Sequence, residues 1–285
     1  MRIIVVPALC VLVTGIVIVL ATGGGGSTSG GRETVAASFY PLAFAASQIG
    51  GASVEVENLT PPGAEPHDLE PTPQDVEDIQ SADLVLLLGQ DFQPSLERAA
   101  GNSGGEVVEL LDTPGLDLIA GDPHVWLDPG RFATIGAAIG RAMGNEAAAR
   151  SFVQRLEALD RAYRAGLSAC TRRDIVTSHE AFGYLADRYG LREVAISGIS
   201  PEAEPTPGDL QRVIDVIRET DATTVFTEPL VSPRLAQTVA AETGGTTAVL
   251  DPLEGLTPEE ESAGDDYFTV MRRNLATLED GLGCR

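Results

Sequence analysis

Short, continuously apolar runs rich in β-branched residues alternate along this chain with amphipathic helical stretches, and that alternation leaves few folds open. Val35–Ser38, Val54–Leu59, Asp83–Leu88 and Glu106–Leu111 read as strands, with helices near Leu42–Ile49, Pro73–Ser81 and Pro94–Ala100. The second half repeats the theme. Strands are expected at Asp174–Ser178, Val194–Ser197, Thr224–Thr227 and Thr247–Asp251, and helices near Ala181–Tyr189, Pro207–Glu219, Pro233–Thr243 and Asp266–Leu282. Strands that are apolar throughout and separated by helices predict mostly parallel sheets covered on both faces, an α/β fold with two Rossmann-like lobes.

Between the halves, Glu146 to Leu167 contains no proline, and Phe152, Leu156, Leu159 and Tyr163 recur at helical spacing. A helix of about 22 residues would run roughly 33 Å. The expectation is a single long rigid helix joining the lobes. The reading is therefore a leader and linker over 1–32, a first lobe over 33–144, the connecting helix over 145–169 and a second lobe over 170–285. An internal echo supports similar lobes: Glu70-Pro71-Thr72-Pro73-Gln74-Asp75 and Glu204-Pro205-Thr206-Pro207-Gly208-Asp209 each place Thr, Pro and Asp where helix starts favour them.

The N-terminus has one positive charge, Arg2, then an almost unbroken apolar run from Ile3 to Ala21 and a Gly/Ser stretch. That pattern predicts export, by a leader that is cleaved, lipidated or kept as an anchor on the membrane. In an exported chain the pair Cys170 and Cys284 favours a disulfide, Cys10 lying in the leader. With 19 Lys+Arg against 42 Asp+Glu the net charge is −23. Such a surface repels phosphate backbones and excludes nucleic acid as a natural partner.

The chain has only three histidines. His67 follows the second expected strand in Gly63-Ala64-Glu65-Pro66-His67-Asp68, His124 follows the fourth in Asp122-Pro123-His124-Val125-Trp126-Leu127-Asp128-Pro129, and His179 ends the first strand of the second half. Asp251, in Val249-Leu250-Asp251-Pro252-Leu253, ends the last strand. Ligands gather outside the carboxyl ends of strands in open α/β sheets. Three imidazoles and a carboxylate converging there suit tetrahedral Zn²⁺. Asp68, Asp128 and Glu180 are the nearby carboxylates able to hold the ring nitrogens that do not face the ion. Trp126 and Phe182 read as cleft walls or core.

GAEPHDLEPTPQDVEDIQSADLVLLLG from Gly63 to Gly89, DPHVWLDP at Asp122–Pro129, TSHEAFGYLADRYGL at Thr177–Leu191 and VLDPL at Val249–Leu253 resemble, in order, the motifs of the zinc- and manganese-binding proteins of bacterial ABC importers (the cluster A-I type). The resemblance implies a monomeric binding protein that carries a metal ion between two lobes and hands it to an ABC permease, with His67, His124, His179 and Asp251 as ligands and no enzymatic activity. Glu65 or a water is the alternative fourth ligand. His rather than Glu at 179 is the zinc-type pattern, so Zn²⁺ is expected over Mn²⁺. Residues 112–122 contain no His, so the His-rich loop of many zinc-type members is absent. The other readings are a manganese or iron importer component, a surface adhesin of the same fold, and a metallohydrolase. A hydrolase would need an open coordination position and a general base, and no HExxH pattern occurs.

Overall fold

Val85, Leu86 and Leu87 are almost wholly buried, and strands this apolar fold only where helices cover both sheet faces. The computed structural model describes residues 32–285 together with Met1; the expected leader, its linker and Cys10 lie outside the described residues. The first half runs β1 (Glu33–Ala37), α1 (Tyr40–Gly50), β2 (Val54–Asn58), α2 (Pro73–Ser81), β3 (Leu84–Leu87), α3 (Pro94–Ala100), β4 (Glu106–Glu109) and α4 (Pro129–Ala142). Helix α5 (Glu146–Gly166) follows. The second half runs β5 (Asp174–Thr177), α6 (Gly183–Tyr189), β6 (Arg192–Ala195), α7 (Pro207–Thr220), β7 (Thr224–Thr227), α8 (Arg234–Thr243), β8 (Thr246–Val249), α9 (Pro258–Ala263) and α10 (Tyr267–Leu282).

The two sheets share one topology. Their orders are β2-β1-β3-β4 and β6-β5-β7-β8, every pair parallel. The sequence echo has a structural meaning as well: Thr72 with Asp75, and Thr206 with Asp209, form capping boxes that start α2 and α7.

Helix α4 was not expected from sequence. Gly130, Gly136 and Gly140 lower its helix propensity, yet Asp128 caps its first turn by accepting from the N–H groups of Gly130 and Arg131. The glycines are there for packing. A Cβ at Gly136 would stand 2.7 Å from the Phe152 ring, and one at Gly140 would stand 2.3 Å from the Ala149 Cβ, so α4 and α5 approach closer than side chains would permit. The strand ends shift too: β4 stops at Glu109, where Leu110 and Leu111 turn inward in a short 3-10 turn, and β6 begins at Arg192.

One apolar cluster spans both halves, taking Val35, Leu84 and Leu86 from the first sheet, Ile175 and Phe226 from the second, and Phe152, Leu156 and Tyr163 from α5. Helix α10 returns along α5: the Tyr163 hydroxyl donates to the Met271 carbonyl (2.7 Å), and Phe268 packs on Phe152 and Phe44. Cys170 and Cys284 are joined by a disulfide across 114 residues, tying the end of α10 to the segment that leads from α5 into β5.

Candidate metal centre

The loops that follow β2, β4, β5 and β8 bring four side chains together. Three of them are His67, His124 and His179. The fourth member is Glu254. The Nε2 atoms of His67, His124 and His179 lie 3.1, 3.2 and 3.2 Å from one atom, Glu254 Oε1. One ligand atom from each of the four side chains can be chosen so that all lie within 4.8 Å of one another, the only such group among the described residues.

Asp251, the residue expected from sequence, is not in this group. It is buried, but its Oδ1 accepts the Leu253 N–H (2.7 Å) within its own loop. The chain then turns through Leu253 at φ 55°, which brings the next carboxylate inward instead. Glu65, the other carboxylate considered, accepts the His67 backbone N–H (3.1 Å) and stops 4.0 Å from the His67 Nε2.

Two further carboxylates aim the rings. Asp122 Oδ1 accepts both the backbone N–H (2.9 Å) and the Nδ1 side (2.8 Å) of His124. Glu228 does the same for His179 with its two oxygens, at 3.1 Å to the backbone and 2.7 Å to Nδ1. A Nδ1–H donated outward leaves the Nε2 lone pair free to face an ion. None of the carboxylates nominated from sequence does this. Asp128 caps α4 and pairs with Arg131 (2.6 Å) and Arg188 (3.0 Å). Asp122, two residues before His124, was open to recognition; Glu228, 49 residues after His179, was not.

His124 and His179 are fully buried. Burial alone would push their protons off, but the facing carboxylates outweigh it: His124 is raised, and His179 is raised to about 10 by Glu228 and Glu254. Burial opposes charge on Glu254 too, and the three imidazoles nonetheless hold it well below the usual carboxylate range. These groups therefore stabilise one another as ions, the environment a bound cation would share. Even so, His179 Nε2 and Glu254 Oε2 are buried without a hydrogen bond. Buried polar atoms are normally satisfied, and an ion bound among the three imidazoles would satisfy His179 Nε2.

The donor set fits Zn²⁺. Bonds of about 2.0–2.1 Å in a tetrahedron give ligand–ligand edges of roughly 3.3 Å, close to the 3.1–3.2 Å from Glu254 Oε1 to each nitrogen. A cavity of about 320 Å³ reaches His67 between Asp68, Asp91 and Asp122 of the first half and Ile199 and Ser200 of the second. Trp126 and Phe182 are core: the Trp126 indole N–H donates to the Pro252 carbonyl (2.7 Å), anchoring the Glu254 loop to the first half.

Comparison with known proteins places the chain in a family. The family described as zinc-uptake complex component A, periplasmic (ZnuA), matches residues 35–281. The high-affinity zinc uptake system protein ZnuA of Bacillus subtilis is 33% identical over 279 residues, covering 87% of each chain. The zinc-binding protein AdcA of Streptococcus pyogenes is 32% identical over 87% of this chain, which spans 56% of that longer relative. Among solved structures, the Zn(II)-bound ZnuA-like domain of Streptococcus pneumoniae AdcA is 34% identical with a TM-score of 0.77, covering 88% of this chain and 99% of that one. The laminin-binding protein of Streptococcus agalactiae, described as bifunctional with adhesin and metal-transporting activity, is 30% identical with a TM-score of 0.81 over 88% of this chain and 99% of that one.

Proposed function

Because the chain belongs to the ZnuA family of zinc-uptake components, we propose that His67, His124, His179 and Glu254 are the four ligands of a transported Zn²⁺ ion, captured between the two lobes outside the cytoplasm and released to an ABC import permease. The convergence of three Nε2 atoms on Glu254 Oε1 carries this reading. Three imidazoles and one carboxylate are borderline donors that favour Zn²⁺ over Mn²⁺. Four protein ligands leave no open position for a catalytic water, which argues for a carrier and against a hydrolase.

Capture follows from the site's construction. The ion meets His67 first, beside the acidic cavity, and the buried His124, His179 and Glu254 then complete its shell. Binding releases the protons that the carboxylates hold on the imidazoles, and Glu254 balances part of the ion's charge. The loops supplying the ligands come from both halves, so separating the halves dismantles the site, and a permease that pries them apart obtains the ion. Metal capture, not adhesion, is what this cluster supports.

Elemental analysis of protein purified without added metal should find one zinc per chain. Chelator competition should then show strongly weakened binding in His67→Ala, His124→Ala and His179→Ala. Unchanged affinity in any two of these variants overturns the assignment.

A further inference from the structure

We infer that Asp251 is a positioning residue for Glu254: it fixes the turn that carries the Glu254 carboxylate to the three histidines. This deepens the zinc-binding reading and rests on it. The turn is clamped at both ends. Asp251 Oδ1 accepts the Leu253 N–H (2.7 Å). The Asp251 backbone is in turn held from α10, with its N–H donating to Asn274 Oδ1 (2.9 Å) and its carbonyl accepting from Asn274 Nδ2 (2.7 Å). Between these bonds, the Pro252 carbonyl accepts the Trp126 indole N–H (2.7 Å).

The clamp has something to hold. Leu253 lies at φ 55°, a left-handed conformation that branched L residues rarely adopt. With the Asp251 acceptor removed, the Leu253 N–H is left unpaired in a buried loop and the torsion is free to relax to a negative value. That rotation redirects the chain entering Glu254. A glutamate side chain with three torsions keeps one oxygen 3.1–3.2 Å from three separate nitrogens only if its backbone is fixed. Asp251, Leu253, Glu254 and Asn274 are all buried, so water does not take over the missing bond. The Asp251 Oδ2 atom has no hydrogen-bond partner. A buried carboxyl group kept at that cost, with only one oxygen bonded, is consistent with a positioning role.

The test is a double-mutant cycle on zinc affinity, read by chelator competition, with far-UV circular dichroism confirming that each metal-free variant is folded. Asp251→Ala should weaken zinc binding about 10–100-fold, the range usual for groups that orient a metal ligand. In a Glu254→Ala background the same change should add less than about twofold, because the ligand it positions is gone. Asp251→Asn retains the acceptor and should stay within a few-fold of wild type. Full additivity of Asp251→Ala with Glu254→Ala, or an Asp251→Asn variant as weak as Asp251→Ala, overturns the inference. Should Asp251→Ala not fold, Asn274→Ala loosens the same turn from α10: coupling to Glu254→Ala supports the inference and additivity overturns it. An unchanged affinity in Glu254→Ala alone would instead remove Glu254 from the ligand set.

Discussion

Glu254 Oε1 faces three imidazole nitrogens, whereas Asp251, three residues earlier, turns its bonded oxygen back into its own loop. His179→Glu tests what the third imidazole contributes. The change gives two nitrogens and two carboxylates, and hard oxygens favour Mn²⁺ relative to Zn²⁺. Glu228, now 2.7 Å from the His179 Nδ1, would then face a like charge, so both ions should bind more weakly. The Zn²⁺/Mn²⁺ affinity ratio should narrow without reversing, because the Irving–Williams order still places Zn²⁺ above Mn²⁺. Competition titrations measure the ratio, and an unchanged value would mean that His179 does not touch the ion. The three histidines were legible because they are the only ones present and each stands at a strand end. The carboxylate that lies beside them, Glu254, was not; the sequence pointed to Asp251. Asp251 lies inside the VLDPL motif and Glu254 just beyond it, with a left-handed Leu253, which no propensity scale predicts, between them.

Helix α4 shows what periodicity misses at the scale of elements. Its glycines argue against a helix locally; the reason for Gly136 and Gly140 lies on α5, in Phe152 and Ala149, and a Cβ at Gly130 would meet the Arg188 guanidinium at 2.5 Å. Gly140→Ala should therefore destabilise the protein. The propensity gain is at most about 1 kcal/mol, while overpacking against a Cβ that cannot rotate away costs about 1–3 kcal/mol. A lowered denaturation midpoint with unchanged zinc stoichiometry is the expected result, and a raised midpoint would show that the interface yields. Elements with local signals were readable: α2, α3 and β7 have the boundaries their sequences implied, and α5 ends within one residue of them. Both EPTP segments start helices with complete capping boxes.

At the scale of the whole molecule, one apolar cluster draws on both sheets, and acids and histidines are buried beside it. Burial pushes Asp251 up to about 8 and Glu193 up to about 7. Both would titrate near pH 4 when unfolded, so between about pH 4 and pH 8 the folded state holds more protons and loses stability as pH rises. His179 acts with the same sign. Burial works against its charge, Glu228 and Glu254 hold its pKa near 10, and its stabilisation, complete below about pH 6.5, is lost as pH rises towards that value. Zinc binding runs the other way, because the imidazoles must give up protons to the metal. The Tm of the metal-free protein should fall from about pH 5 to about pH 8 while the increment added by zinc grows. A metal-free Tm that climbs over that range contradicts the account. The central claim, that three imidazoles and the Glu254 carboxylate together hold the ion, is tested most directly by X-ray absorption at the zinc edge of the zinc-loaded protein. The account predicts four nitrogen or oxygen ligands at about 2.0–2.2 Å, with the multiple-scattering signature of three imidazoles. Two or fewer imidazoles, or a sulfur ligand at about 2.3 Å, would contradict it.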